Sequence, residues 1–222
     1  MFIGHYAVGF AGKKLAPKTS LGTLFLAAGL MDFLFTFLLL CGVEHLRIDP
    51  GNTAVVPLDL YDFPFSHSLM FALFWSVLFS LLYCQIRKYP RGSLVLGGLV
   101  FSHWLLDLVS HRPDLPLFPG SETMLVLGLW NSLAGTAAVE LGLFAVGVWL
   151  YASSTKAVDR RGKYALWALV VFLLVVQIIN YQGDPPPSVG VFAWVGLSAW
   201  LIILWAWWID RHRRVRGGRG YY

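Results

Sequence analysis

Two histidines and an aspartate recur at intervals of four residues within Ser102–His111, as His103, Asp107 and His111. An α-helix turns by about 100° per residue, so these side chains would form one polar stripe. The neighbouring residues are apolar over a membrane-spanning length, where ionisable groups are costly and are normally retained for function. Imidazoles and a carboxylate at this spacing can form one wall of a transition-metal site. The alternative is a hydrogen-bonded polar seam between helices.

The composition places the chain among membrane proteins. Of its 222 residues, 57% are hydrophobic and 13% are charged, whereas a soluble domain carries about 25% charged residues. The charges cluster between apolar runs of roughly 20 residues, the length that crosses a bilayer. We therefore predict an all-α, polytopic integral membrane protein of the bacterial inner (plasma) membrane, with membrane lipids as partners.

The basic residues indicate topology and argue against nucleic acid as a partner. The formal net charge is +5, but 15 of the 17 Lys and Arg residues lie in the N-terminal segment, in alternate loops and in the tail. Only Arg47 and Arg112 lie in the remaining loops. This distribution follows the positive-inside rule and predicts that both termini are cytoplasmic.

Apolar segments of spanning length define the predicted architecture. Met1–Gly12 is too short to span, so we expect a re-entrant or interfacial helix that carries His5. The six predicted spans are Leu21–Val43, Phe65–Ile86, Ser93–His111, Met124–Tyr151, Tyr164–Gln182 and Val189–Ile209. They form a single domain over residues 1–210, followed by a basic, disordered tail over residues 211–222. The last two spans have no charged interior residue, so residues 164–209 are expected to support a site within residues 1–140.

Ionisable side chains of the first spans lie at similar predicted depths in the outer half of the membrane. Asp32 lies near the middle of the first span, and His67 lies at the outer mouth of the second. The candidate metal ligands are His5, Asp32, His67, His103, Asp107 and His111. Asp62 and Glu140 are further candidates. Mixed nitrogen and oxygen donors favour zinc as the cofactor, with iron and manganese as alternatives, in one site or two adjacent ones.

A metal site of this kind predicts hydrolytic chemistry. A bound divalent ion polarises a phosphoryl or carbonyl oxygen and lowers the pKa of its water toward about 7. Asp107 and Asp32 are the candidate catalytic carboxylates, because whichever does not bind metal can act as general base. A site that opens at the outer leaflet favours a lipid-linked or outer-face substrate.

Several motifs resemble those of the YdjM-like bacterial membrane proteins. They are Gly4-His5, Leu30-Met31-Asp32, Phe65-Ser66-His67-Ser68 and Phe101-Ser102-His103-Trp104-Leu105-Leu106-Asp107, in the family's order. The resemblance covers roughly the first half of the chain and implies a membrane-bound metal-dependent hydrolase with His5, Asp32, His67, His103 and Asp107 in its site. Two features depart from the family pattern. A His-Arg-Gly lead-in is missing before Ser66, and Asp-x-Asp-His is reduced to Asp32, which implies fewer ligands.

The functional prediction is metal-dependent hydrolysis of a lipid-linked or outer-face ester or phosphoester. A proton- or ion-coupled transporter that uses Asp32, Glu140, His103 and Asp107 as a relay is the first alternative. A non-catalytic membrane scaffold is the second. An enzyme predicts stoichiometric metal in a dead-end pocket, whereas a carrier predicts a path that continues inward.

Overall fold

The computed structural model describes residues 1–217 and shows a helical bundle. Among these residues, five helices are long and apolar enough to cross a membrane, or six if a bent pair counts as one span. This confirms the prediction of an all-α polytopic membrane protein. The helices are α1 Phe2–Leu15, α2 Leu21–Ala28, α3 Leu30–Leu40, α4 Pro64–His67, α5 Leu69–Arg87, α6 Pro90–Ser110, α7 Leu133–Ser154, α8 Arg160–Gln182, α9 Val189–Ser198 and α10 Trp200–Arg211.

The first predicted span is broken in the middle. The axes of α2 and α3 differ in direction by 59° across Gly29, so the span predicted over Leu21–Val43 is a bent pair of helices and not one straight helix. Ser20 caps α2 by accepting a hydrogen bond from the Thr23 backbone N–H. The break places Asp32 in the first turn of α3 and leaves the Ala28 carbonyl beside α6.

The N-terminal helix lies inside the bundle and not on its surface. Its 14 residues span about 21 Å, less than the roughly 30 Å hydrocarbon core. It packs inside the bundle against α7, α2 and α6, and Lys13 at its carboxyl end forms an ion pair with Asp210 (Nζ–Oδ2 2.6 Å). Met1 is buried at the opposite end, so the structure does not place the first residue at the basic, cytoplasmic end as predicted.

Two other spans begin later than predicted. The second starts at Leu69, because Ser68 accepts a hydrogen bond from the Phe71 backbone N–H and caps α5. His67 therefore lies on the separate turn α4. The fourth starts at Leu133, after a 3₁₀ turn over Leu129–Asn131. Asn131 thus lies outside the span in which it was predicted.

Short antiparallel hairpins close both ends of the bundle. At the end with acidic loops, β1 (His45–Ile48) pairs with β2 (Leu58–Asp62), and β3 (Leu115–Pro116) pairs with β4 (Met124–Leu125). At the end with basic loops, β5 (Thr155–Ala157) pairs with β6 (Arg213–Val215). The prediction of a disordered tail is therefore wrong as far as residue 217, because Arg213 is buried and donates to the Gly162 carbonyl (2.9 Å). Residues 218–222 of that predicted tail lie outside the described residues.

Candidate metal centre

Six ionisable side chains meet inside the bundle, toward its acidic end. His5 comes from α1, Asp32 from α3 and His67 from α4. His103 and Asp107 lie four residues apart on α6, and His111 follows its last residue. We call these six residues the His–Asp cluster. The structure thus brings together all six residues predicted as metal ligands, but not the further candidates Asp62 and Glu140.

Asp107 lies at the centre of the cluster and contacts all four imidazoles. Its Oδ1 lies 3.1 Å from His5 Nε2 and 3.6 Å from His111 Nε2. Its Oδ2 lies 3.1 Å from His103 Nε2 and 3.7 Å from His67 Nε2. The carboxylate is almost fully buried. A buried carboxylate requires a positive charge nearby.

Asp32 forms the side of the cluster that faces open space. Its Oδ1 lies 3.5 Å from His103 Nε2 and 3.7 Å from His67 Nε2. Its side chain is 58% exposed, whereas that of Asp107 is 2% exposed. The two carboxylates therefore have different environments although both contact His103.

Two overlapping triads have the spacing of metal ligands. One donor atom each from His5, His103 and Asp107 lie within 4.8 Å of one another, as do donor atoms of Asp32, His67 and His103. These buried groups are close enough to bind a metal ion. His103 belongs to both triads, so the geometry accommodates one ion or two adjacent ions.

Hydrogen bonds on the outer side of three imidazoles fix their orientation. His103 Nδ1 lies 2.7 Å from the Ala28 carbonyl oxygen, and His111 Nδ1 lies 3.0 Å from Asp114 Oδ1. Both partners are acceptors, so each Nδ1 carries a proton and each Nε2 points into the cluster, where the neutral ring can offer its lone pair to a metal ion. This pattern of a ligating Nε2 and a bonded Nδ1–H is typical of histidines that bind metal.

His67 is oriented through a longer relay. Its Nδ1 lies 2.7 Å from Ser66 Oγ, and the Ser66 hydroxyl donates to Glu44 Oε2 at 2.7 Å. Glu44 Oε1 also accepts the backbone N–H groups of Phe65 and Ser66 at 2.7 and 2.8 Å. Burial raises the pKa of Glu44, while the hydrogen bonds from Ser66 oppose that rise. Because the Ser66 hydroxyl donates its hydrogen to Glu44, the Ser66 oxygen is free to accept a hydrogen bond from His67 Nδ1–H.

The cluster presents nitrogen and oxygen atoms that could ligate a cation. His103 Nε2 is buried and has no hydrogen-bond partner, although it lies near both carboxylates. The His5 and His103 rings stack in parallel with centroids 3.6 Å apart. The Met1 amino group contacts Asp107 Oδ1 at 2.8 Å and His5 Nε2 at 3.1 Å, which supplies one positive charge against two carboxylates. A divalent cation fits the donor set and the unpartnered nitrogen.

A cavity of about 690 Å³ adjoins the cluster. Its wall includes His5, Asp32, His67, Asp107 and His111, together with residues of α8 and α9. Residues 164–209 were predicted to be only supporting helices, and the structure extends that role because they form one side of this cavity. Trp130 stacks on His111 with ring centroids 4.1 Å apart and covers that edge of the cluster.

The two further candidates from the sequence, Glu140 and Asp62, do not contact the imidazoles of the His–Asp cluster. Glu140 lines the cavity, but it accepts the Gly4 backbone N–H (3.2 Å) and contacts no imidazole of the cluster among the bonds of residues 1–217. Asp62 pairs with the exposed His45 (Oδ2–Nδ1 3.0 Å) and lies outside the cluster.

Sequence reasoning missed the residues that orient the imidazoles. Asp114 follows His111 by three residues and Ser66 directly precedes His67, so both could have been identified from their positions in the sequence. Glu44 is separated from His67 by a hairpin loop, and no local pattern indicates it.

The fold and the cluster define a multi-pass membrane protein with a buried His–Asp centre. The profile of the YdjM inner membrane protein family matches residues 2–183, so the chain belongs to that family. It is accordingly a multi-pass inner membrane protein. No curated protein and no solved structure matches the chain.

Proposed function

We propose that the protein is a membrane-embedded, zinc-dependent hydrolase that cleaves an ester or phosphoester of a lipid-linked or outer-face substrate. One observation carries the proposal: four imidazoles and two carboxylates converge, and three of the imidazoles are held with Nε2 inward. Nitrogen and oxygen donors in this proportion suit zinc.

The two carboxylates are suited to different tasks. Asp107 is buried among the four histidines and is the better ligand. Asp32 faces the cavity, so it can accept a proton from a water molecule that enters there and act as general base. A bound zinc ion would supply a Lewis acid and a water of lowered pKa. The outer hydrogen bonds hold the imidazole rings in place, so little reorganisation is needed when the ion binds.

The cavity supports hydrolysis better than transport. Among the described residues, its lining includes none of the Lys and Arg residues of the basic end. Beneath the cluster the core is filled by aromatic side chains, with Phe10 against Phe25 (centroids 4.8 Å apart) and Tyr151 (5.4 Å). A relay through Asp32, His103, Asp107 and Glu140 would need a path through this apolar layer.

The test begins with metal content. Detergent-purified protein is analysed for zinc, iron and manganese by mass spectrometry, with His103→Ala as the site variant and His45→Ala as the matched control. His45 is an exposed histidine that pairs with Asp62. We expect near-stoichiometric zinc in the wild type and in His45→Ala, and a loss in His103→Ala. Equal metal in all three proteins contradicts the proposal.

Hydrolysis is tested with the zinc-loaded protein and a fluorogenic phospholipid in detergent micelles. Asp32→Asn keeps the shape of the side chain but cannot accept the proton, so we expect kcat to fall by roughly 10²- to 10⁴-fold. Loss of zinc together with activity would identify Asp32 as a ligand. Unchanged kcat with full zinc would remove it from the mechanism, and a wild type that binds zinc but turns over no ester would favour the scaffold alternative.

A further inference from the structure

The cavity beside the cluster is bounded in part by α8 and α9, which pack on different neighbours. α9 packs on α3, whereas α10 packs on α2 and α8. The packing partner changes from α3 to α2 and α8 at Ala199, the residue that separates α9 from α10. Both α8 and α9 contribute to the cavity wall, so the space between them is a cleft within the membrane-spanning part of the bundle. These α9 residues lie beyond the residues that match the family profile.

The cleft is lined by apolar side chains that are also strongly exposed. Ile179 on α8 is 58% exposed, and Val195 on α9 is 64% exposed. Phe172 and Val191 are exposed lining residues as well. In a membrane, exposed apolar groups at this depth face hydrocarbon. The cleft is therefore open sideways to the bilayer as well as to the His–Asp cluster.

The length of the cleft matches one leaflet. Its lining along α8 runs from Phe172 to Tyr181, which at 1.5 Å per residue is roughly 14 Å. Half of a typical hydrocarbon core is about 15 Å. A hydrocarbon chain from the outer leaflet would therefore occupy the cleft along its length.

Polar groups are concentrated at the outer end of the same wall. Asn180, Tyr181 and Asp184 line the cavity there, one to three turns beyond the apolar Phe172 and Val176. The Gln177 side chain lies beside the Tyr181 hydroxyl and adds to the polar character of this end of the wall. The wall thus has the polarity of a lipid, with its head group beside the cluster and its chain deeper.

We propose that the cleft between α8 and α9 binds one hydrocarbon chain of an outer-leaflet membrane lipid, which enters sideways and places its head group at the His–Asp cluster. Only the fate of the head group rests on the proposed hydrolase function. The binding of the chain rests on the apolar lining, the lateral opening and the leaflet-length match.

The experiment measures lipid binding by native mass spectrometry. Purified, delipidated protein is titrated with dioleoyl phosphatidylglycerol, and the Kd of the first bound lipid is determined. Val195→Trp and Ile179→Trp fill the cleft from opposite walls. Val171→Trp is the matched control, because Val171 is 58% exposed on α8 but is not part of the cavity wall.

We expect each cleft variant to raise the first Kd by at least roughly tenfold, the equivalent of displacing about two methylene groups. The control should bind as the wild type does. Wild-type affinity in both cleft variants would overturn the proposal, as would an equal loss in Val171→Trp. Zinc is measured in the same samples, so the two proposals can fail separately. Absent zinc with cleft-sensitive lipid binding refutes only the hydrolase, and full zinc with cleft-insensitive binding refutes only the lipid site.

Discussion

Replacing Glu44 by Gln tests whether the outer hydrogen bonds prepare the cluster for metal. Glu44 accepts three hydrogen bonds, two from backbone N–H groups on Oε1 and one from the Ser66 hydroxyl on Oε2. In Glu44→Gln the amide oxygen must stay with the two backbone donors. The new NH₂ group then faces Ser66 and donates to it.

This change reverses the hydrogen bond between Ser66 and His67 and thereby changes the favoured tautomer of His67. In the wild type, Ser66 donates to Glu44 and can accept the Nδ1 proton of His67, which leaves the Nε2 lone pair free. In the variant, the Ser66 hydroxyl is free to donate to His67 Nδ1, which favours the tautomer with its proton on Nε2. That tautomer cannot bind a metal through Nε2.

The expected effect is a loss of zinc affinity of roughly 10- to 100-fold, the range for partners that orient a ligating histidine. It corresponds to roughly 1.4–2.8 kcal/mol. The assay is a competition titration of zinc against a fluorescent chelator. Glu122→Gln, the same change at an exposed loop residue, is the control and should bind zinc as the wild type does.

Ser66→Ala separates the relay from other effects of Glu44. It should weaken zinc binding by a similar factor, because it removes the acceptor of the Nδ1 proton. Wild-type affinity in Glu44→Gln would refute the tautomer argument. A weakened Glu44→Gln beside a fully competent Ser66→Ala would show that Glu44 does not act through Ser66.

Three further predictions concern stability. Chelation of the bound metal should lower Tm and zinc should restore it, since free zinc at about 100 times Kd stabilises the folded state by about 2.7 kcal/mol; an unchanged Tm would contradict metal binding. Gly147→Ala should destabilise the protein by roughly 1–3 kcal/mol, because the new Cβ would clash with the Ala7 carbonyl oxygen. Gly142→Ala, with open space around it, should be tolerated in the same thermal assay. The hydrogen bond from the Gly162 N–H lowers the pKa of Asp159 below its ordinary 3.8. The ionised carboxylate therefore stabilises the folded protein above pH 3.8, and this contribution is lost as the pH falls through the lowered pKa. The Tm of Asp159→Ala should therefore lie below that of the wild type at neutral pH and approach it in acid, and a gap independent of pH would disprove the assignment.

Much of the cluster could be predicted from the sequence because its signals are local. The four-residue spacing of His103, Asp107 and His111 defines one helix face, and that face points into the bundle as expected. Asp32 was recognisable because a mid-span carboxylate needs a partner. His5 could be placed only conditionally, since its position depends on how α1 enters the bundle.

The remaining features depend on tertiary contacts that hydropathy does not encode. The break at Gly29 lies in a run whose only charged residue is Asp32, and a single glycine in such a run does not by itself mark a break. The Ser68 cap shortens the second span by a few residues, and a polar residue at a span end is too common to locate it. The role of α8 and α9 in the cavity wall depends on which helices they pack against, which an apolar sequence without charges does not reveal.

X-ray absorption at the zinc edge tests the central claim most directly, because it reports which atoms surround the ion. The zinc-loaded protein should show a nitrogen and oxygen shell at about 2.0–2.2 Å, with the outer scattering of imidazole rings, and this scattering should weaken in His103→Ala. A sulfur shell near about 2.3 Å, which would come from Cys41 or Cys84, would contradict the account, as would a spectrum of hydrated zinc without imidazole.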